Sequence, residues 1–179
     1  WRGRLEDHLG TFVLEVTDAR AADLIADRTR LYAAQLLFDH LRLLPERDPH
    51  DRLLGLTIGL LDRTAPEQLG AALARFELTL LDDLGFGLDL TSCAATGATT
   101  GLTHVSPKSG RAVSRAAAEP YLDKLFVLPA FLIEDGEPGP GDIAAAFALT
   151  GYFLDRHVWA ARDVEPPSTR EALVGIVSG

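Results

Sequence analysis

Residues 75–90 read RFELTLLDDLGFGLDL, and this stretch constrains the fold more than any other because it joins a strongly patterned helix to a sharp stop. Phe76, Leu80 and Leu84 recur at four-residue intervals with Leu81 beside them, a single apolar stripe that predicts a core-facing helix. Glu77, Asp82 and Asp83 fall off that stripe and read as its solvated side. Gly85 supplies the left-handed residue with which helices commonly end, and Phe86 can then fold back onto the last turn as in a Schellman-type cap. Asp82 and Asp83 are neighbours and cannot converge on one substrate. Near the negative end of the helix dipole each costs about 0.3–1 kcal/mol if exposed, which hints at a partner nearby.

Almost everything before this stretch is helical in pattern. Thr17 or Asp18 can cap a helix that runs to about Leu43, the longest element, with Leu24, Leu31, Leu37 and Leu41 along its inner side. Asp48 and Pro49 signal the next helix, His50 to Arg63, whose leucines and isoleucine cover more than half its circumference and mark it as the most buried. Thr64 and Glu67 form a capping box for the helix ending at Leu84. From Leu90 to Ser114 small, polar and glycine residues take over, a loop or small β excursion, after which Ser114 can cap a short helix. The acidic run EDGEPGPGD, residues 134–142, is a solvated turn; Asp142 then starts a helix through about Trp159, and Ser168 with Glu171 caps a last one. Residues 12–16 alternate as a strand would. A chain of 179 residues is of one-domain size and buries roughly 70% of its unfolded surface. The expected fold is mainly α, about six helices, with a small β segment at the N-terminus and an irregular central loop. The chain opens at Trp1 and holds no methionine, so it is expected to be a piece of a longer protein.

Composition excludes several functions. A net charge of −9 argues against a surface that grips nucleic acid everywhere, so any such contact is local. Lys108, Arg111, Arg115 and Lys124 outnumber Glu119 and Asp123 over a short interval, and Arg2 with Arg4 makes a smaller basic group; the competing reading is scattered surface charge. Cys93 is alone, which rules out an internal disulfide and a multi-cysteine metal site and fits a reducing cytoplasm. No apolar run approaches the eighteen or more residues of a membrane span. None of the five histidines sits in a metal-ligand motif, and Asp155 and His157 are two apart on a predicted helix and face apart. Lys108-Ser109 would suit a phosphate loop only with glycine at 102 and 107, where Leu102 and Pro107 stand. A hydrolase using His104 or His157 therefore has no supporting motif.

RFELTLLDDLGFGLDLTSCAATG, residues 75–97, closely resembles the hallmark region of the RecO family of bacterial recombination mediators. WRGRLEDHLGTFVLE resembles the end of that family's N-terminal OB-fold, ERDPHDRLL its interhelical turn, HVSPKSGRAVS its central loop and FLDRHVWAARDVEPPSTREALV its C-terminal helices. The resemblance implies a remnant of the OB-fold at 1–17 and a helical domain at 18–179 with its central loop at about 91–114. It implies a cytoplasmic, nucleoid-associated, non-enzymatic DNA-repair protein of the RecF pathway, without cofactor and without membrane contact. Such a protein binds single- and double-stranded DNA, anneals strands, associates with RecR, docks on the acidic, hydrophobic C-terminal tail of the single-stranded-DNA-binding protein and helps load RecA. The alternative is a helical protein-interaction domain with no DNA contact of its own.

Site residues follow from the same likeness. DNA contacts are expected from Arg2, Arg4, Lys108, Arg111 and Arg115, and binding of the partner's tail from Arg75 and Phe76, an arginine pairing with a terminal carboxylate while an apolar pocket takes an aromatic residue. The competing readings are a surface arginine and a core phenylalanine. Many family members hold zinc with four cysteines in the central loop. Here Cys93 matches the first, while Thr96, Ser114 and Ala117 stand at the others, so a metal-free loop is expected.

Overall fold

Among the described residues four helices pack around a fifth, α4 (Pro66–Asp83), whose Leu69, Leu73, Phe76, Leu80 and Leu81 are each at most 1% exposed. The computed structural model describes residues 13, 15, 16, 19–62 and 65–178. The expected stop after α4 is present. Gly85 lies at φ +84°, its N–H reaches the Asp82 carbonyl at 2.9 Å and the Phe86 N–H reaches that of Leu81 at 2.8 Å. These are the two bonds of a Schellman turn, and the left-handed residue they require is glycine because a Cβ there is strained. The Phe86 ring, expected on the last turn, instead reaches across to His157.

Ahead of α4 lie α1 (Ala21–Ala26), α2 (Arg28–Leu41) and α3 (Asp51–Leu61). The single long helix expected up to Leu43 is thus two. Asp27 leaves the helical region at φ −121°, ψ 112°, and its carboxylate accepts from the Thr29 and Arg30 amides at 2.9 and 3.1 Å. A side chain that satisfies orphan amides starts a new helix rather than continuing the old one. Helix α3 is also less buried than expected, since Leu54 and Ile58 stay 58% and 48% exposed while Leu53, Thr57 and Leu60 face α4 and α2. Arg30 ties α2 to α3 by donating to the Leu61 carbonyl at 2.9 Å.

The β excursion is a three-stranded antiparallel sheet in the order β2–β1–β3, built from β1 (Leu102–Val105), β2 (Ala112–Ser114) and β3 (Phe126–Val127). The third strand comes from beyond the stretch in which β structure was expected, and it is legible only through its partners: His104 pairs with Val127, and Val105 with Phe126. Between them α5 (Arg115–Ala118) and a 3-10 segment Glu119–Lys124 return the chain. Helix α6 (Asp142–Leu154) passes through a π turn, Asp155–Trp159, into α7 (Ala160–Arg162), and α8 (Ser168–Val177) closes the core against α2 and α4. Ser168 is the first residue of α8 and makes no capping bond, so the expected cap is absent.

No helix among the described residues is long and apolar enough to cross a membrane. The proposed strand at 12–16, the OB-fold remnant at 1–17 with Arg2 and Arg4, the Thr17 or Asp18 cap and the Thr64–Glu67 capping box lie wholly or partly outside the described residues. Of residues 1–18 only Val13, Glu15 and Val16 are described, and they are exposed.

Candidate nucleic-acid and partner interface

The electrostatic centre of the domain is a residue that periodicity assigns to solvent. Glu77 is fully buried. Arg170 of α8 grips it with two bonds, Nε to Oε1 at 2.8 Å and Nη2 to Oε2 at 2.9 Å. Thr150 of α6 donates to Oε2 at 2.5 Å, and His40 of α2 lies 3.1 Å from Oε1. Burial by itself raises a carboxyl pKa, but the Arg170 charge and the hydrogen bonds from His40 and Arg170 outweigh it and lower Glu77 to about 2. Because an ionised carboxylate only accepts, the proton on His40 sits on Nε2. Gly151 makes room for the guanidinium, for a Cβ there would stand 2.8 Å from Arg170 Nη1. This network joins four helices. Sequence reading missed it, although one signal was available: Leu73, Ala74, Leu80 and Leu81 flank Glu77 on its own face at three and four residues' distance, an apolar surround for a charge.

Two residues earlier and on the other side of the helix, Arg75 borders an open groove of about 490 Å³ lined also by Arg52, Leu78, Leu88, Leu132 and Ile133. Its guanidinium is largely committed. It donates to the Phe131 carbonyl through Nε at 3.1 Å and Nη2 at 2.8 Å, reaches the Gly136 carbonyl at 3.3 Å, and lies over the Phe131 ring at 5.2 Å. Phe76 has no exposed surface and packs against His40 in the core, so its side chain is part of the floor of the domain and not of the groove. The cation that does face the opening is Arg52, whose side chain is 71% exposed with Asp82 at 4.0 Å. Sequence reading gave it no role. Of the paired aspartates, Asp82 has Arg52 at 4.0 Å and Asp83 has the His50 Nδ1 at 2.8 Å.

The basic residues of the central segment are spread along the β1–β2 hairpin. Lys108 is exposed in the turn, Arg115 is exposed at the opposite end, just past the Leu102–Ser114 pair, and Arg111 lies between them. Arg111 is neutralised locally, its Nε bonding Asp89 at 3.0 Å. Asp89 itself joins the hairpin, its N–H reaching the Gly110 carbonyl at 3.1 Å and its carbonyl accepting from Ala112 at 2.8 Å. Arg115 lies near enough to His104 that its charge, after burial, helps hold that imidazole pKa below its usual value.

Cys93, Thr96 and Ser114, three of the four positions of the family's zinc pattern, converge. The Ser114 amide lies 3.2 Å from Cys93 Sγ, and hydrogen bonds from the Ser114 and Thr96 hydroxyls, then from the Ser114 amide, lower the thiol to about 6. A single thiol surrounded by hydroxyls and the methyl of Ala117 does not fit a structural zinc ion, which takes four Cys or His ligands. Among the described residues no group of three or more His, Cys, Asp or Glu is placed to hold a metal.

The model of the family described as Recombination protein O C terminal matches residues 25–162. The chain is also 49% identical over 177 residues to the DNA repair protein RecO of Rhizobium johnstonii, covering 97% of this chain and 69% of that relative. The chain belongs to the RecO family. RecO proteins of Methylobacterium nodulans and Chelativorans sp. are 49% and 48% identical to it, over 98% and 99% of this chain and 74% and 73% of theirs. No solved structure matches the chain. The RFE triplet divides three ways: Arg75 borders a groove, Phe76 lies in the core and Glu77 in the buried network.

Proposed function

We propose that this chain is a DNA-repair and recombination mediator that acts by binding DNA and proteins. The observation that carries this is its 49% identity, over 97% of its length, to a relative named as a DNA repair protein of the RecO family. In this reading it binds single- and double-stranded DNA through Lys108, Arg111 and Arg115 and through Arg2 and Arg4 of an OB-fold remnant at 1–17. It anneals strands, associates with RecR and helps load RecA within the RecF pathway. Annealing needs neutralised phosphates and no nucleophile.

The acidic, apolar tail of the single-stranded-DNA-binding protein would dock in the groove beside Arg75. Leu78, Leu88, Leu132 and Ile133 offer apolar walls. Arg75 holds the 131–136 wall in place through its two carbonyl contacts, and Arg52 is the cation open to a carboxylate. A fluorescent acidic tail peptide titrated against Arg52→Ala should bind roughly ten-fold more weakly, the scale of one charge-assisted hydrogen bond. Equal affinity for Arg52→Ala and Leu132→Ala removes the tail from this groove.

The net charge of −9 and the Asp89–Arg111 pair favour a second reading, a protein-interaction domain without its own DNA contact. Titration of labelled oligonucleotides at several salt concentrations separates the two. Affinity that falls with salt supports the mediator, and absence of any binding supports the interaction domain.

A further inference from the structure

Three aromatic rings stand nearly parallel at one edge of the molecule. Phe86 lies on His157 with centroids 5.0 Å apart and planes 11° off parallel, and His157 lies on Phe153 at 6.1 Å and 11°. The inner ring is rooted in α6 at 2% exposure, whereas Phe86, at the outer end, is 37% exposed. His157 covers one face of Phe86, and part of the residue remains exposed. Core phenylalanines such as Phe76 and Phe147 are at most 2% exposed, whereas Phe86 keeps part of its surface in solvent while stacked on a second ring.

Two local devices build the stack. The Schellman turn at Gly85 throws Phe86 off the end of α4, and the π turn Asp155–Trp159 carries His157 to meet it. Single π turns inside α-helices occur frequently at functional sites. The basic hairpin abuts the same edge. A Cβ built on Gly110 would lie 3.1 Å from Leu88 Cδ2 and 3.6 Å from Phe153 Cε1, so the turn at 106–110 that carries Lys108 runs against the stack. Arg111 is fixed to Asp89, three residues after Phe86, and the exposed Arg156 donates to the Tyr152 hydroxyl at 2.9 Å one residue from His157.

We propose that Phe86, backed by His157 and Phe153, is a base-stacking platform for single-stranded DNA, with Lys108, Arg111 and Arg156 beside it for the phosphates. The proposal rests on the DNA-binding reading above and adds its strand preference. Every base has a π face that an aromatic ring can cover, but a base within a duplex has both faces already occupied, so an open ring selects unpaired strands. Asp89 pairs with Arg111 and offsets part of that charge.

The test uses the whole chain and two labelled strands of equal length, one oligothymidylate and one abasic, which carry the same phosphates. Wild type should prefer the strand with bases. Phe86→Ala should weaken binding of that strand roughly five- to one-hundred-fold, the range for loss of one stacked base, and leave the abasic affinity unchanged. Phe86→Trp should keep the preference, and circular dichroism should show both variants folded. Wild-type affinity for oligothymidylate in Phe86→Ala, or equal loss on both strands, overturns the platform while leaving DNA binding in place. If wild type binds neither strand, the DNA-binding reading falls and the platform falls with it.

Discussion

At the scale of single residues the domain turns on Glu77. Replacing it by Gln keeps the shape but leaves the Arg170 cation buried without its carboxylate, and breaking a buried pair by removing one partner typically costs about 3–5 kcal/mol. Urea unfolding of Glu77→Gln should show a loss of that order. The pH dependence has a definite sign. The folded pKa of about 2 lies below the ordinary 4.5, so the unfolded chain binds the proton more readily. The stabilisation is complete above about pH 4.5 and is lost as pH falls toward 2. Glu77→Gln should remove that share of the acid sensitivity, and an unchanged profile between pH 5 and 2 counts against the assignment. Gly151→Ala is a second probe: the guanidinium it would crowd is pinned by Glu77, Thr150 and the Phe147 carbonyl and cannot swing away. A loss of about 1–3 kcal/mol, as for overpacked cores, is expected in the same assay. The apolar neighbours of Glu77 signal its burial, but its partners were not legible in the sequence, because Arg170 and Thr150 lie 93 and 73 residues away.

At the scale of elements, local chemistry sets the boundaries. Asp27 divides what periodicity joins, since an apolar stripe continues across α1 and α2 while two amides are satisfied by one side chain. Asp27→Ala should cost about 1 kcal/mol by the same unfolding measurement, the usual value of an N-cap. The end of α4 was readable in advance because a Schellman turn depends on one glycine at one position. The central segment was readable only as a change of composition. Its sheet needs β3 from farther along the chain, and Ser114 is joined to Cys93 by a hydrogen bond. Metal analysis of the purified protein should find no stoichiometric zinc, and one zinc per chain overturns that account.

For the whole molecule, the charge of −9 is set against a basic hairpin, and the two predict different salt behaviour. Each phosphate contact contributes about 0.7 to the slope of log affinity against log salt on single strands. Replacing Lys108 and Arg115 with Ala should lower that slope by about 1–2, while Arg111→Ala should change it less, because Asp89 already neutralises Arg111. An unchanged slope in the double variant removes the hairpin from the DNA surface.

The sequence by itself determined the helical architecture, the stop after α4 and the RecO family, because these depend on periodicity, one glycine and contiguous motifs that neighbouring residues carry together. Only the tertiary structure decided which polar groups are buried and which rings are open. Glu77 went inside because three other helices supplied donors for it, and Phe86, just past the end of α4, stacks on His157 while 37% of it stays exposed. Burial belongs to the space between elements, and that space is defined only after they pack.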